Sequence, residues 1–209
     1  RTWQSFQRNL PITPVTGMRI AHDDLILSTQ GRSFWILDDI SPLREIGIAV
    51  AAGTYLFKPR NAVRLTNVGS ASMAELTPDP RPAGAQIHYY LAQEPAEEVL
   101  IEVVDDRGEV VRTFSSDSAT VTETNGQQID KASGLNRLAW QTFYPGPEMP
   151  EDAVVWGYTG GVVAPPGTYT VRMTLSEQVQ EQSFQLLPDP RIPDVTLASY
   201  EEQFRIALE

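Results

Sequence analysis

The sequence contains no cysteine. Disulfide frameworks, thiol catalysis and cysteine-ligated zinc are thereby excluded. A cysteine-free chain is stable in either redox state, so this absence leaves the compartment open. Histidine is scarce, with only His22 and His88. A Ser-His-Asp triad would need one of them oriented by a carboxylate, and no Gly-x-Ser-x-Gly elbow occurs. His22 reads as a solvated turn residue, and His88 as a solvated residue on the outer face of a strand. No apolar run approaches the roughly 18 residues of a spanning helix, so no membrane span is expected. Basic residues are outnumbered, 16 against 27 acidic, for a net charge of −11. A surface that negative repels phosphate backbones, and nucleic acid is not an expected partner. The opening Arg1-Thr2-Trp3-Gln4-Ser5 has neither a starting Met nor a signal-peptide core, and the expectation is a piece of a longer precursor.

What the chain has is length, punctuation and short strands. Its 209 residues suit one large domain or two small ones, enough to bury a core without staples. Sixteen Pro and fourteen Gly are spread along it, which excludes long helices almost everywhere. Residues 18–21, 25–29 and 33–37 are three β-branched or aromatic runs. Asp23-Asp24 and Gln30-Gly31-Arg32 read as the turns of an antiparallel meander. A second group of strands begins near Ala85. Ile87, Tyr89 and Leu91 alternate onto one face. Residues 99–104 and 110–114 flank the turn Asp105-Asp106-Arg107-Gly108. Residues 136–141, 167–175 and 182–187 complete a β-sandwich of about 100 residues. Its expected core is Ile87, Tyr89, Leu91, Leu100, Val103, Val111, Leu138, Trp140, Tyr169, Val171, Met173, Phe184 and Leu186. Trp3 and Trp35 are expected in strand cores as well.

One segment argues for a helix. Leu197, Tyr200, Phe204 and Leu208 recur at three- and four-residue steps, and Thr196 or Ser199 can cap its start. These four residues are expected to dock it. Two Pro-rich stretches, 76–84 and 187–193, mark boundaries. The division is therefore 1–47 for the meander, 48–83 for a linker, 84–188 for the sandwich, and 189–209 for a second linker and the amphipathic helix.

Two resemblances are carried by quoted motifs. Arg1-Thr2-Trp3 is similar to the closing residues of an Asp-box, Ser-x-Asp-x-Gly-x-Thr-Trp. Together with Gly31-Arg32-Ser33-Phe34-Trp35-Ile36-Leu37-Asp38-Asp39, it makes residues 1–47 resemble the last blade of sortilin-like BNR (Asp-box) β-propellers, bacterial proteins often labelled glycosyl hydrolases. Residues 84–188 resemble the FlgD-type Ig-like domain. The matching stretches are 101–113, Ser133-Gly134-Leu135-Asn136-Arg137-Leu138-Ala139-Trp140, and Ala164-Pro165-Pro166-Gly167-Thr168-Tyr169. The family's Trp-Asp-Gly is here Trp140-Gln141-Thr142, followed by an insertion over 143–161. The resemblance implies a mainly β fold, a blade remnant followed by an Ig-like sandwich and a C-terminal helix. It also implies secretion or a periplasmic location, and the propeller of the parent protein as a partner. A sialidase-like site would need an arginine cluster, a Tyr nucleophile and an acid from several blades. None of these maps onto this chain.

The residues themselves offer few sites. The acid pairs Asp23-Asp24 and Asp105-Asp106 read as turn formers, and neither they nor Asp38-Asp39 sit in an Asp-x-Asp-x-Asp calcium loop. Glycosidase carboxylates facing across a cleft are not visible as a pattern. Arg60, Arg64, Arg81, Arg107, Arg112 and Arg137 are scattered without an anion cluster. Gly160-Gly161 and Gly167 lack the helix and Lys-Ser/Thr pair of a phosphate loop. No catalytic residue, metal or cofactor is expected. The aromatic insertion is the one candidate: Tyr144, Trp156 and Tyr158 could stack on a sugar or anchor a protein. The simpler reading is that Trp156 folds back to cover the sandwich end or packs against the blade.

The expected function is thus a non-catalytic structural or interaction region of a secreted propeller protein. Two readings stand beside it: an accessory domain of a glycoside hydrolase whose site lies in other blades, or a carbohydrate-binding module. A lone blade leaves sheet edges unpaired, so a second copy of the chain is a candidate partner too.

Overall fold

The computed structural model describes residues 3, 5–65, 83–147, 156 and 160–208. The chain divides into two units, 1–47 and 48–209. The fold is mainly β.

The first unit holds an antiparallel meander of β1 (Val15–Ala21), β2 (Asp24–Thr29) and β3 (Phe34–Leu37), in that order. The β1–β2 loop is His22-Asp23, with φ of 50° and 60°. A two-residue hairpin loop wants both central residues left-handed, which matches the twist of the flanking strands. The turn therefore sits one residue earlier than expected, and Asp24 already pairs with Ala21. The register aligns Met18, Leu27 and Trp35 on one face, with Ile20, Leu25 and Leu37 beside them. The other face carries Ile26 opposite Ile36 and Ser28 opposite Phe34. Met18 is 70 % exposed and Phe34, on the opposite face, 73 %. The sheet is thus apolar on both sides. Trp35 is half-buried, and its indole N–H donates to the Arg32 carbonyl at 2.9 Å. Trp3, expected in a core, is 94 % exposed because it precedes the sheet and pairs with no strand.

A helix that the strand-centred reading did not anticipate follows, α1 (Ser41–Ala52). The Asp39 carboxylate accepts from the Ser41 amide at 3.2 Å and from its hydroxyl, supplying a cap. Pro42 is harmless there, since first-turn amides have no partner within the helix. Gly53, at φ 79°, ends the helix by donating to the Ala49 carbonyl at 3.0 Å, as a left-handed glycine cap does.

The second unit is a two-sheet sandwich. Its strands are β4 (Thr54–Leu56), β5 (Ala62–Val63), β6 (Ala85–Leu91), β7 (Val99–Val104) and β8 (Val110–Ser115), then β9 (Gln127–Gln128), β10 (Gly134–Trp140), β11 (Gly167–Leu175) and β12 (Gln178–Leu187). Helix α2 (Ser118–Glu123) links β8 to β9, and α3 (Leu197–Ala207) follows β12. One sheet runs β10-β6-β4 and the other β5-β12-β11-β7-β8-β9. Both contribute to a single core. Leu56, Ile87, Tyr89, Leu138 and Trp140 come from the first, and Ile101, Val103, Phe114, Val171, Met173 and Phe184 from the second. At its centre Trp140 lies 5.0 Å from the Tyr169 ring and 6.2 Å from Phe184. The Tyr169 hydroxyl donates to the Pro165 carbonyl four residues upstream, at 2.8 Å. This tyrosine-corner contact pins the entry to β11.

Three expectations need correction. Residues 48–83 are not simply a linker. β4 pairs with β6 in one sheet, and β5 pairs in parallel with β12 in the other, so the sandwich's first strand is divided between its layers. The Gln180 side chain of β12 joins this seam, its amide donating to the Thr54 carbonyl at 2.9 Å and accepting from the Leu56 amide at 2.8 Å. Second, Leu100 is half-buried and not in the core; Val99, Ile101 and Val103 point inward, as the two-residue period requires. Third, His88 is buried, because β6 is covered on both faces. Phe57 lies beside it, donating its amide to the His88 carbonyl at 3.1 Å.

Two measurements check this architecture. Gln180→Ala leaves the Leu56 amide and Thr54 carbonyl unpaired, and is expected to cost about 1–3 kcal/mol with faster exchange of the Leu56 amide in particular. The Tyr89 phenol, which donates to the Asp130 carbonyl, is pushed up to about 12 by burial, with the Asp130 charge adding. The native state therefore holds a proton that the unfolded chain releases near 10. Its contribution is complete below pH 10 and is lost as pH rises toward 12. Thermal melts should show a steeper alkaline decline in the native chain than in Tyr89→Phe.

Candidate functional site

The base of the 143–161 insertion is built from β10 outward. The Trp140 indole N–H donates to the Phe143 carbonyl at 3.0 Å. Thr142 takes a left-handed φ of 64° and turns the chain back. Its carbonyl accepts from the Ala164 amide at 2.7 Å, and the Tyr144 amide donates to the Val162 carbonyl at 2.9 Å. Phe143 and Val163 form an antiparallel bridge between them. The two ends of the insertion are thus zipped together against the sandwich.

Tyr144 is half-buried and packs on the core. Its ring lies 4.8 Å from Phe204 of α3. Burial pushes its phenol up to about 12, reinforced by Asp105 and Asp106 and opposed by Arg107. At neutral pH it is a protonated donor and a packing surface, not a phenolate nucleophile. Trp156 is 97 % exposed. Tyr158 lies outside the described residues. Of the three aromatic candidates, then, one is committed to holding α3 and one is open to solvent.

Two cavities flank this base. One, of about 480 Å³, is lined by Arg112, Phe114, Asn125, Trp140, Phe143 and Tyr144. There Arg112 donates to the Asn125 carbonyl at 3.1 Å, and burial lowers its affinity for its proton. The other, of about 690 Å³, lies toward α3, between Arg64, Val162, Val163, Gln203, Phe204 and Leu208.

Arg64 is the residue that pattern reading missed, since it appeared only as one of several scattered arginines. It is 5 % exposed. Its Nε donates to the Ala164 carbonyl at 3.0 Å and an Nη to the Gln203 side-chain oxygen at 2.9 Å. Its guanidinium lies 4.8 Å over the Tyr200 ring. Burial lowers its pKa, with the Tyr200 and Tyr169 phenols opposing. It anchors α3. Tyr200 is buried and Phe204 half-buried, whereas Leu197 and Leu208, expected to dock, are exposed. Leu208, the C-cap residue, only lines the cavity beside Arg64. The only sequence signal for Arg64 was its place beside β5, a strand that the linker reading had hidden.

The remaining candidates serve the fold. Asp105 accepts from the Arg107 and Glu109 amides at 2.9 Å each, closing the β7–β8 hairpin. Asp23 pairs with Arg44 at 2.8 Å, and Asp24 accepts from the Asp39 amide at 2.9 Å. Among the described residues no group of three or more His, Asp or Glu side chains could hold a metal ion. No helix among the described residues is long and apolar enough to cross a membrane.

Gly161 tests the zipped base. A Cβ there would lie 1.6 Å from the Tyr144 carbonyl oxygen, which no rotamer relieves. Gly161→Ala is expected to cost at least about 2 kcal/mol and to loosen α3, read as increased amide exchange at Tyr200–Phe204. No protein-family model matches this chain, and no curated protein does either.

Proposed function

We propose that this chain is a non-catalytic structural and interaction region of a secreted or periplasmic β-propeller protein, built from a terminal blade and a FlgD-type Ig-like sandwich. The observation that carries this reading is the meander with two apolar faces. A surface antiparallel sheet keeps one polar side toward water. A sheet with Met18, Ile20 and Leu27 on one side and Ile26, Phe34 and Ile36 on the other suits a layer between two others, which is the situation of a blade in a ring. The natural partner is the rest of that propeller, or a second copy of this chain. The divided first strand and the tyrosine corner support the Ig-like reading of the sandwich.

Turnover is not part of this reading. Asp105 holds a turn and Asp39 a helix cap, and the half-buried Tyr144 phenol is held protonated. Trp156, fully presented to solvent, favours a second reading as a glycan-binding module. Activity confined to a longer form of the protein would make the chain an accessory domain of a glycoside hydrolase.

The test is direct. The chain is expected to bind the apolar dye ANS and to self-associate in sedimentation velocity, with both effects removed by Ile20→Glu combined with Phe34→Glu and no change in the sandwich's melting. It should release no fluorophore from a panel of umbelliferyl glycosides. Turnover by the chain itself, or dye binding indifferent to the double substitution, refutes the proposal. Glycan-array signal lost in Trp156→Ala establishes the second reading instead.

A further inference from the structure

We propose that the cavity between α3 and the base of the insertion binds the carboxylate of a small apolar monocarboxylic acid, anchored by Arg64. This site is independent of the scaffold reading above.

Burying a guanidinium is costly unless a counter-charge or a full set of acceptors compensates. Arg64 has neither among the described residues. Its partners are a backbone carbonyl, a neutral amide oxygen and an aromatic face. Those two hydrogen bonds use two of its five N–H donors. The Tyr200 hydroxyl, on the ring under that guanidinium, is buried with no hydrogen-bond partner. Arg64 therefore keeps unused donors among the described residues, and it lines a cavity of about 690 Å³. That volume falls within the range of small-molecule sites, roughly 300–1,000 Å³.

The lining chooses the ligand class. Among the described residues Arg64 is the only charged one that lines the cavity, and Val162, Val163, Phe204 and Leu208 supply apolar wall. One cation neutralises one negative charge. A phosphate dianion would leave excess charge buried in a chain whose net charge is already −11. The planar fork of arginine matches two carboxylate oxygens. The apolar wall requires an aliphatic or aromatic body behind that group. The alternative is that Arg64 only locks α3 in place, and that role predicts no ligand.

Sodium octanoate is the probe. It should produce a saturable shift of the Arg64 Nε–H resonance in ¹⁵N spectra, together with measurable heat in titration calorimetry. Octanamide and inorganic phosphate should produce neither. Arg64→Met should weaken octanoate binding about ten- to hundredfold. Because that variant can also release α3, a second is needed. Ala207 lies on the exposed rim of the cavity, and Ala207→Trp should fill the space and weaken binding comparably while leaving the melting temperature and the free-state Nε–H resonance in place. The proposal is overturned if octanoate gives no saturable shift, if octanamide or phosphate binds as well as octanoate, or if Ala207→Trp leaves the affinity unchanged.

Discussion

The indole of Trp140 serves two purposes at once, and the second unit depends on both. Its ring fills the centre of the sandwich against Tyr169 and Phe184. Its one polar atom reaches out of the core to the Phe143 carbonyl. A buried indole must place its N–H somewhere, and here that requirement fixes where β10 stops. The left-handed Thr142, the Phe143–Val163 bridge and the seat of Tyr144 all follow within four residues. Tyr144 in turn carries Phe204. The position of the C-terminal helix is therefore traceable, contact by contact, to the geometry of one core side chain.

The same economy governs the other polar atoms of the interior. Tyr169 and Tyr89 send their hydroxyls to backbone carbonyls, and Gln180 completes the hydrogen bonds of a strand belonging to the opposite sheet. Each joins pieces that the backbone ladders alone leave separate. Such bonds contribute little net stability, about 1 kcal/mol each, yet leaving one unmade costs more. They specify arrangement more than they add stability. Arg64 breaks the pattern, because it holds α3 through neutral partners while keeping a charge that nothing in the described interior balances. Gln86, buried on β6 with both amide atoms unpartnered, breaks it as well, and no contact of the fold explains it.

How far the sequence could be read follows from which forces act locally. Strands with clean two-residue alternation were visible. Tyr169, Val171 and Met173 lie inward as their spacing requires, because half-buried strands carry their environment in their pattern. β6 was misread in part because both of its faces are covered, so the polar side chains of Gln86 and His88 point to an exposed face that the fold buries. β4 and β5 were hidden for a different reason. At three and two residues they have almost no period, and their partners lie far along the chain, so only tertiary pairing defines them. α1 was not anticipated because Pro and Gly spread along the whole chain argue against long helices, although a proline in the first turn, such as Pro42, removes no needed donor. Of the candidate site, the insertion was legible as an aromatic departure from strand pattern. Arg64 was not, because a buried cation is recognised by what surrounds it, and its surroundings come from β5, the β10–β11 connection and α3.

The two units solve the problem of sheet burial in opposite ways, and this contrast bears on function. The sandwich closes on itself. Its two layers cover each other, its first strand is shared between them, and its aromatic centre leaves no large apolar side chain of β6 or β11 fully exposed. The meander does not close. Three strands of four to seven residues cannot cover two apolar faces with their own side chains, and a three-stranded sheet is marginal without packing on something else. Exposed apolar area of that kind is retained where another surface covers it. Because Met18 and Phe34 lie on opposite faces and are both exposed, a single covering surface does not suffice. In the proposed propeller, a blade on each side would cover both faces with one repeated contact.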